Sequence, residues 1–100
     1  MRYFIELAYK GKNYHGWQIQ PDAISIQEKI NNAISTVLRQ NIIITGAGRT
    51  DAGVHASQMF AHFDTDIVLA ENFAFRLNAL LPDDIVIYNT KVVHDDAHVR

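Results

Sequence analysis

An α+β domain is predicted by the order of six segments: strand, helix, strand, strand, helix, strand. Three observations carry the prediction. Arg2 to Tyr9 alternates apolar and mixed residues, the period of a half-buried strand. Ser25 opens a run with helical spacing of apolar residues. Asn41 to Thr45 and His55 to Phe63 flank a glycine-containing stretch and read as the two arms of a hairpin.

Each element has its own physical reason. In Arg2 to Tyr9, the residues Tyr3, Ile5, Leu7 and Tyr9 share one face, and Phe4, Glu6, Ala8 and Lys10 the other. Lys10-Gly11-Lys12-Asn13 breaks the strand. Tyr14 to Pro21 is a loop holding the chain's single Trp beside two glutamines. That composition fits a small packed Ω-loop, and it also fits a stacking surface for unpaired bases. Ser25-Ile26-Gln27-Glu28 is a capping box. From it the apolar residues Ile26, Ile30, Ala33, Ile34, Val37 and Leu38 form one helical stripe. Glu28, Lys29, Asn31, Asn32 and Arg39 are assigned to the solvated side.

Asn41-Ile-Ile-Ile-Thr45 is β-branched and reads as the second strand. In the third, Met59, Ala61 and Phe63 alternate with Gln58, Phe60, His62 and Asp64, and Asp64-Thr65-Asp66 closes it. A second helix is expected from about Glu71 to Leu81, buried through Phe73, Ala74, Leu77, Leu80 and Leu81 and stopped by Pro82. Phe75 falls at its rim. Ile85 to Val93 is the last strand. The order is that of the ferredoxin-like split βαβ fold, a four-stranded antiparallel sheet with both helices on one face. Phe4, Phe60 and Tyr88 are then expected on the opposite face, where RNA or a second domain would cover them.

One hundred residues form one domain, able to bury about 60–65% of its unfolded surface. Cysteine is absent, which excludes a disulfide framework and a thiolate metal site. The N-terminal residues lack the uncharged core of a signal peptide, and no apolar run is long enough to span a membrane. Both are compatible with the cytoplasm. The net charge of −2 is not the basic footprint of a stand-alone nucleic-acid binder.

Gly46 to Ala56 concentrates the chemistry of the chain. Hairpin loops usually take two to five residues, and this one is longer. Gly46, Gly48 and Gly53 let another backbone approach. Arg49 is a planar cation suited to phosphate or to stacking on a base. Asp51 is a candidate general base, metal ligand or nucleophile, and Asp-x-Gly is also an ordinary Asx-turn. His55 reads either as a hydrogen-bonding strand residue or as a phosphate contact.

The ordered run Gly48-Arg49-Thr50-Asp51-Ala52-Gly53-Val54-His55-Ala56 resembles the signature of the tRNA pseudouridine synthase A family. Gly16-Trp17-Gln18-Ile19-Gln20 is similar to that family's Gly-Trp-Gln-x-Gln segment in type and place. Leu77-Asn78-Ala79-Leu80-Leu81-Pro82-Asp83-Asp84-Ile85 resembles its Leu-Asn-x-x-Leu-Pro-x-Asp-Ile stretch. Ala97-His98-Val99-Arg100 resembles its Phe-His-Ala-Arg segment, departing at Ala97 and Val99. The likeness covers nearly the whole chain.

The resemblance implies conversion of uridine to pseudouridine in the anticodon stem-loop of tRNA, without metal or organic cofactor, by one aspartate that Asp51 matches. It implies that the target uridine is flipped from its stem, with Arg49 filling the vacated space or holding the adjacent phosphate. It places Arg49, Thr50, His55, Trp17, Gln18, Gln20 and Arg100 among the RNA- or substrate-binding residues. Family members are more than twice as long, two related domains around a cleft, and act as homodimers. This chain would be the N-terminal domain. The C-terminal domain would supply a Tyr and a second basic residue, so the isolated piece is expected to be inactive.

Two other classes remain open. One is a non-catalytic RNA-binding module, since RRM domains share the element order, although Ser57 to Asp64 lacks their Gly-aromatic pattern. The other is a metal site on His94 and His98 with Asp95 and Asp96 between them. That spacing brings ligands together on a helix, and the region reads as a strand end.

Overall fold

The computed structural model describes residues 1–14, 16–18, 21, 23–47, 56–94 and 96–97; of Ala56 and Ser57 it describes the backbone alone. Four strands and two helices follow in the expected order: β1 (Arg2–Tyr9), α1 (Ile26–Leu38), β2 (Thr45–Gly46), β3 (Ala56–Asp64), α2 (Phe73–Leu80) and β4 (Ile85–Val93). The sheet order is β2-β3-β1-β4, with every neighbouring pair antiparallel. This is the ferredoxin-like α+β arrangement.

The alternation of β1 sets the layering. Tyr3, Ile5, Leu7 and Tyr9 are all buried, whereas Phe4, Glu6 and Ala8 between them are half-exposed. Across the ladder, Tyr3 meets Phe63, Ile5 meets Ala61 and Leu7 meets Met59. Leu7 and Tyr9 meet Ile87 and Ile85 on the other side. Ile26, Ile30 and Ile34 of α1 and Phe73 and Leu77 of α2 join this face in one apolar cluster. Phe63 and Phe73 lie 6.3 Å apart, tying α2 to the sheet. Burying side chains of this size contributes roughly 1.5–3 kcal/mol each.

Helix α1 begins where the capping box placed it. The Ser25 hydroxyl accepts from the Glu28 amide at 3.2 Å. The Tyr14 to Pro21 loop completes the cap. The amides of Ile26 and Gln27 donate to the carbonyls of Gly16 (3.1 Å) and Trp17 (2.9 Å), and the Lys29 amide donates to the Ser25 carbonyl. All four amides of the first turn therefore have acceptors. Gly16 has φ 83°, a left-handed conformation that suits glycine.

Three features differ from expectation. The second strand is two residues long, because Ile42 and Ile44 bond to side chains of α1 rather than to a strand. Asn31, assigned to solvent, is buried: its Oδ1 accepts from the Ile44 amide at 2.9 Å. Leu80, placed in the buried stripe, is half-exposed at the end of a helix shorter than expected.

Helix side chains bond backbone groups on the β4 edge and on the segment that leads into β2. On the β4 edge, Asn78 donates to the Ile87 carbonyl at 2.9 Å and accepts from the Ile87 amide at 2.8 Å. A register shift between Glu6 and Leu7 marks the irregularity in the pairing there. In the segment before β2, Asn31 and Gln27 take the amide and carbonyl of Ile44, and the Ser35 hydroxyl takes both polar groups of Ile42.

Candidate functional site

The long hairpin connection is positioned by its two ends. Thr45 and Gly46 pair with His62 and Ala61, and the Ala47 amide donates to the Phe60 carbonyl at 2.9 Å. At the other end Ala56 lies across from Tyr9 of β1. Strand β3 thus runs past the end of β2, paired there with β1, and residues 48–55 join Ala47 to Ala56.

Below the first end sits the Trp17 loop. Trp17 is 2% exposed, and its ring stacks on Tyr9 with centroids 6.1 Å apart. Gly46 lies directly against it. A Cβ at Gly46 would come within 2.6 Å of Trp17 Nε1 and 2.7 Å of Cε2, and within 2.7 Å of Met59 Cε. The methionine end can move aside, but the buried indole cannot do so cheaply. Trp17, Gln18, Gln27, Ile43, Ile44, Thr45 and Gly46 line a pocket of about 210 Å³ beside this contact.

Helix α1 holds the approach to Gly46. Gln27, Asn31 and Ser35 are four residues apart and share one helical stripe, rising about 6 Å per step. Ile42 and Ile44 are two residues apart in the chain, a spacing of about 6.6 Å when a chain is fully extended. Ser35 bonds Ile42, while Asn31 and Gln27 both bond Ile44, one at its amide and one at its carbonyl. Gln27 Nε2 donates to the Ile44 carbonyl at 2.7 Å.

The Tyr14 hydroxyl donates to Asp84 at 2.6 Å and locks the loop to the turn before β4. Burial, then the Asp84 hydrogen bond and charge, push the Tyr14 hydroxyl far above its ordinary pKa. It therefore remains a donor throughout the neutral range.

The open face of the sheet carries a polar centre with apolar flanks. Glu6 accepts from Gln58 Nε2 at 2.6 Å and from Asn89 Nδ2 at 2.8 Å, joining three strands. Phe60, Val86 and Tyr88 are exposed, and Phe4 stacks on buried His62 at 6.0 Å. Phe60 and Tyr88 emerge as expected, whereas Phe4 is half-covered. At the sheet's end, Arg2 donates to both Asp64 oxygens, at 2.8 and 3.0 Å, and to the Ala97 carbonyl at 2.6 Å. The Arg2 hydrogen bond holds the Asp64 carboxyl below its ordinary pKa.

Of the expected substrate-contacting residues, Trp17 and Gln18 lie among those described. Trp17 requires a correction. Its ring is covered by Tyr9 and Gly46, so the indole acts from inside the fold and offers no face to a base. The packed-loop reading applies to it. Gln18 is exposed at the pocket rim. Arg49, Thr50, Asp51, His55, Gln20 and Arg100 lie outside the described residues, as do Asp95 and His98. His94 pairs instead with Asp96, both side chains exposed. Among the described residues no group of three metal-ligating side chains is found, and no helix is long and apolar enough to cross a membrane.

The residues that sequence reasoning missed are Gln27, Asn31 and Ser35. Their four-residue spacing was a signal, but it reads equally as a solvated stripe until the strand beside it is known.

No family model matches the chain. Curated relatives do. It is 58% identical over 100 residues to a tRNA pseudouridine synthase A of Bacteroides thetaiotaomicron, covering 99% of this chain and 37% of the relative. Identity to the Azobacteroides pseudotrichonymphae protein of that name is 53%, covering 99% of this chain and 40% of the relative. For the Pasteurella multocida protein of that name it is 48%, covering 100% of this chain and 38% of the relative. The chain thus spans about two-fifths of the length of these relatives. With such identity sustained from end to end on the predicted split βαβ fold, the chain belongs to the tRNA pseudouridine synthase A family.

Proposed function

We propose that the full-length protein carrying this chain isomerises uridine to pseudouridine in tRNA, with Asp51 as the catalytic carboxylate. The observation that carries this reading is 58% identity across 99% of the chain to a protein named for that activity. The chemistry is an isomerisation: the C1′–N1 bond breaks, the base turns, and a C5–C1′ bond forms. C5 loses a proton and N1 gains one, so atoms and electrons balance without an external oxidant or reductant. A carboxylate suits both parts of the task, as a nucleophile at an electrophilic carbon or as a base. No metal or organic cofactor is needed.

The substrate proposed is the anticodon stem-loop, with Arg49 at the flipped uridine or its phosphate and Thr50, His55, Gln18, Gln20 and Arg100 on the RNA side. Trp17 contributes by packing. This chain corresponds to the N-terminal domain. A C-terminal domain supplies a Tyr, a second basic residue and the cationic surface that a net charge of −2 does not provide. The assembly is a cytoplasmic homodimer, and residues 1–100 alone turn over little or no substrate.

The test is pseudouridine formation in unmodified tRNA by the full-length protein. Activity that vanishes in Asp51→Asn while tRNA binding persists supports the reading. Undiminished activity in Asp51→Asn removes Asp51 from the chemistry. RNA binding without turnover in the wild type favours the binding-module alternative, to which the exposed Phe60 and Tyr88 of the open face would lend themselves.

A further inference from the structure

Gly46 is the last paired residue of β2, one step before the Ala47 amide makes its bond to Phe60. It has no room for a side chain, because the indole of Trp17 occupies the space where a Cβ would stand. Three constraints converge on this point. Trp17 is held in place by Tyr9 stacked on its ring. Its carbonyl accepts from the Gln27 amide, which fixes the loop backbone to the start of α1. The Gln27 side chain in turn donates to the carbonyl of Ile44, two residues before Gly46. The same residue therefore grips both the Trp17 loop and the strand that runs under it. A buried, close-packed contact of this kind transmits a displacement rather than absorbing it.

We infer that Trp17 is a positioning residue for the proposed isomerisation: wedged against Gly46, its indole fixes where the chain leaves the sheet for the segment bearing Arg49 and Asp51. This rests on the reading of Asp51 given above. Trp17 touches no substrate in this role. It sets the direction and height of Ala47, and the catalytic segment begins one residue later. Because a misplacement of about 1 Å can cost about a hundredfold in rate, the packing of one indole matters for turnover.

The experiment uses the full-length protein and unmodified tRNA, with the variants Gly46→Ala, Trp17→Phe, Trp17→Leu and the double variant Gly46→Ala/Trp17→Leu. Gly46→Ala is expected to lower kcat about tenfold to a hundredfold, with KM for tRNA within about twofold of wild type. In the double variant the added methyl enters space vacated by the indole, so kcat is expected to recover above that of Gly46→Ala alone. Trp17→Phe, which keeps an aromatic ring, should retain more kcat than Trp17→Leu.

Hydrogen exchange supplies a readout independent of turnover. The Ala47 amide should exchange faster in Gly46→Ala and Trp17→Leu than in wild type, and slow again in the double variant. Wild-type kcat in Gly46→Ala, or losses that simply multiply in the double variant, would overturn the inference. So would an Ala47 amide indifferent to all four variants. If the wild type makes no pseudouridine, the proposed function fails visibly in the same assay, and the exchange data still decide whether Trp17 sets the strand end.

Discussion

At the scale of single residues, charge and burial set what each group can do. Arg2 and Asp64 form a forked pair, but the Asp64 side chain is 62% exposed. Solvent screening limits such a pair to about 1 kcal/mol or less. The Asp64 carboxyl titrates below its ordinary range in the folded chain because of the Arg2 hydrogen bond. Its contribution is therefore present above the unfolded value, near pH 4, and fades as pH falls through the lower folded value. Asp64→Asn should cost up to about 1 kcal/mol at pH 7 and much less near pH 2. Urea unfolding at both pH values checks this, and an equal cost at both would show that packing rather than charge is at work.

At the scale of elements, the informative feature is how two helices bond β4 and the segment before β2. Asn31 and Asn78 occupy corresponding roles, each satisfying backbone groups of an isoleucine, Ile44 and Ile87. Removing such a partner leaves a buried amide unbonded, at about 1–3 kcal/mol. Asn31→Ala is expected to cost that much and to raise hydrogen exchange at Ile44. Thr36→Ala, on the exposed side of the same helix, should shift stability by less than about 0.5 kcal/mol. Equal effects from the two would mean that Asn31 contributes only helix propensity. The consequence for function runs through β2, whose two paired residues depend on α1 for their alignment.

At the scale of the whole molecule, the sheet is one-sided. Its inner face packs both helices, and its outer face presents Phe60, Val86 and Tyr88 around the Glu6 network. Ile5 is fully buried on the inner side, whereas Phe60 is 40% exposed on the outer. Ile5→Ala should therefore cost about 2–5 kcal/mol through a cavity at the centre of the core. Phe60→Ser should change the stability of this domain by no more than about 0.5 kcal/mol. Denaturant midpoints of the two variants give the comparison, and a large cost at Phe60 would mean that its ring is packed within this domain.

What the sequence alone determined follows from local rules. Strict alternation in Arg2 to Tyr9 settled which face of β1 is buried, because successive strand side chains point to opposite sides. The Ser25 capping box located the start of α1, since a hydroxyl three residues before an amide is a local geometry. The nine residues from Gly48 to Ala56 carried the family, which the end-to-end identity with curated relatives then bore out. Tertiary structure decided the rest. Asn41 to Thr45 looks like a full strand, yet all but its last residue lies outside the sheet ladder. Ile42 and Ile44 bond instead to side chains of a helix, and no local pattern reveals partners supplied from elsewhere in the chain. The residues around Trp17 read as a packed loop, whereas the family resemblance placed Trp17 among the substrate contacts. Its burial against Gly46 and Tyr9 decided the matter, because an aromatic side chain has the same chemistry in a core and at an interface, and only its neighbours distinguish the two.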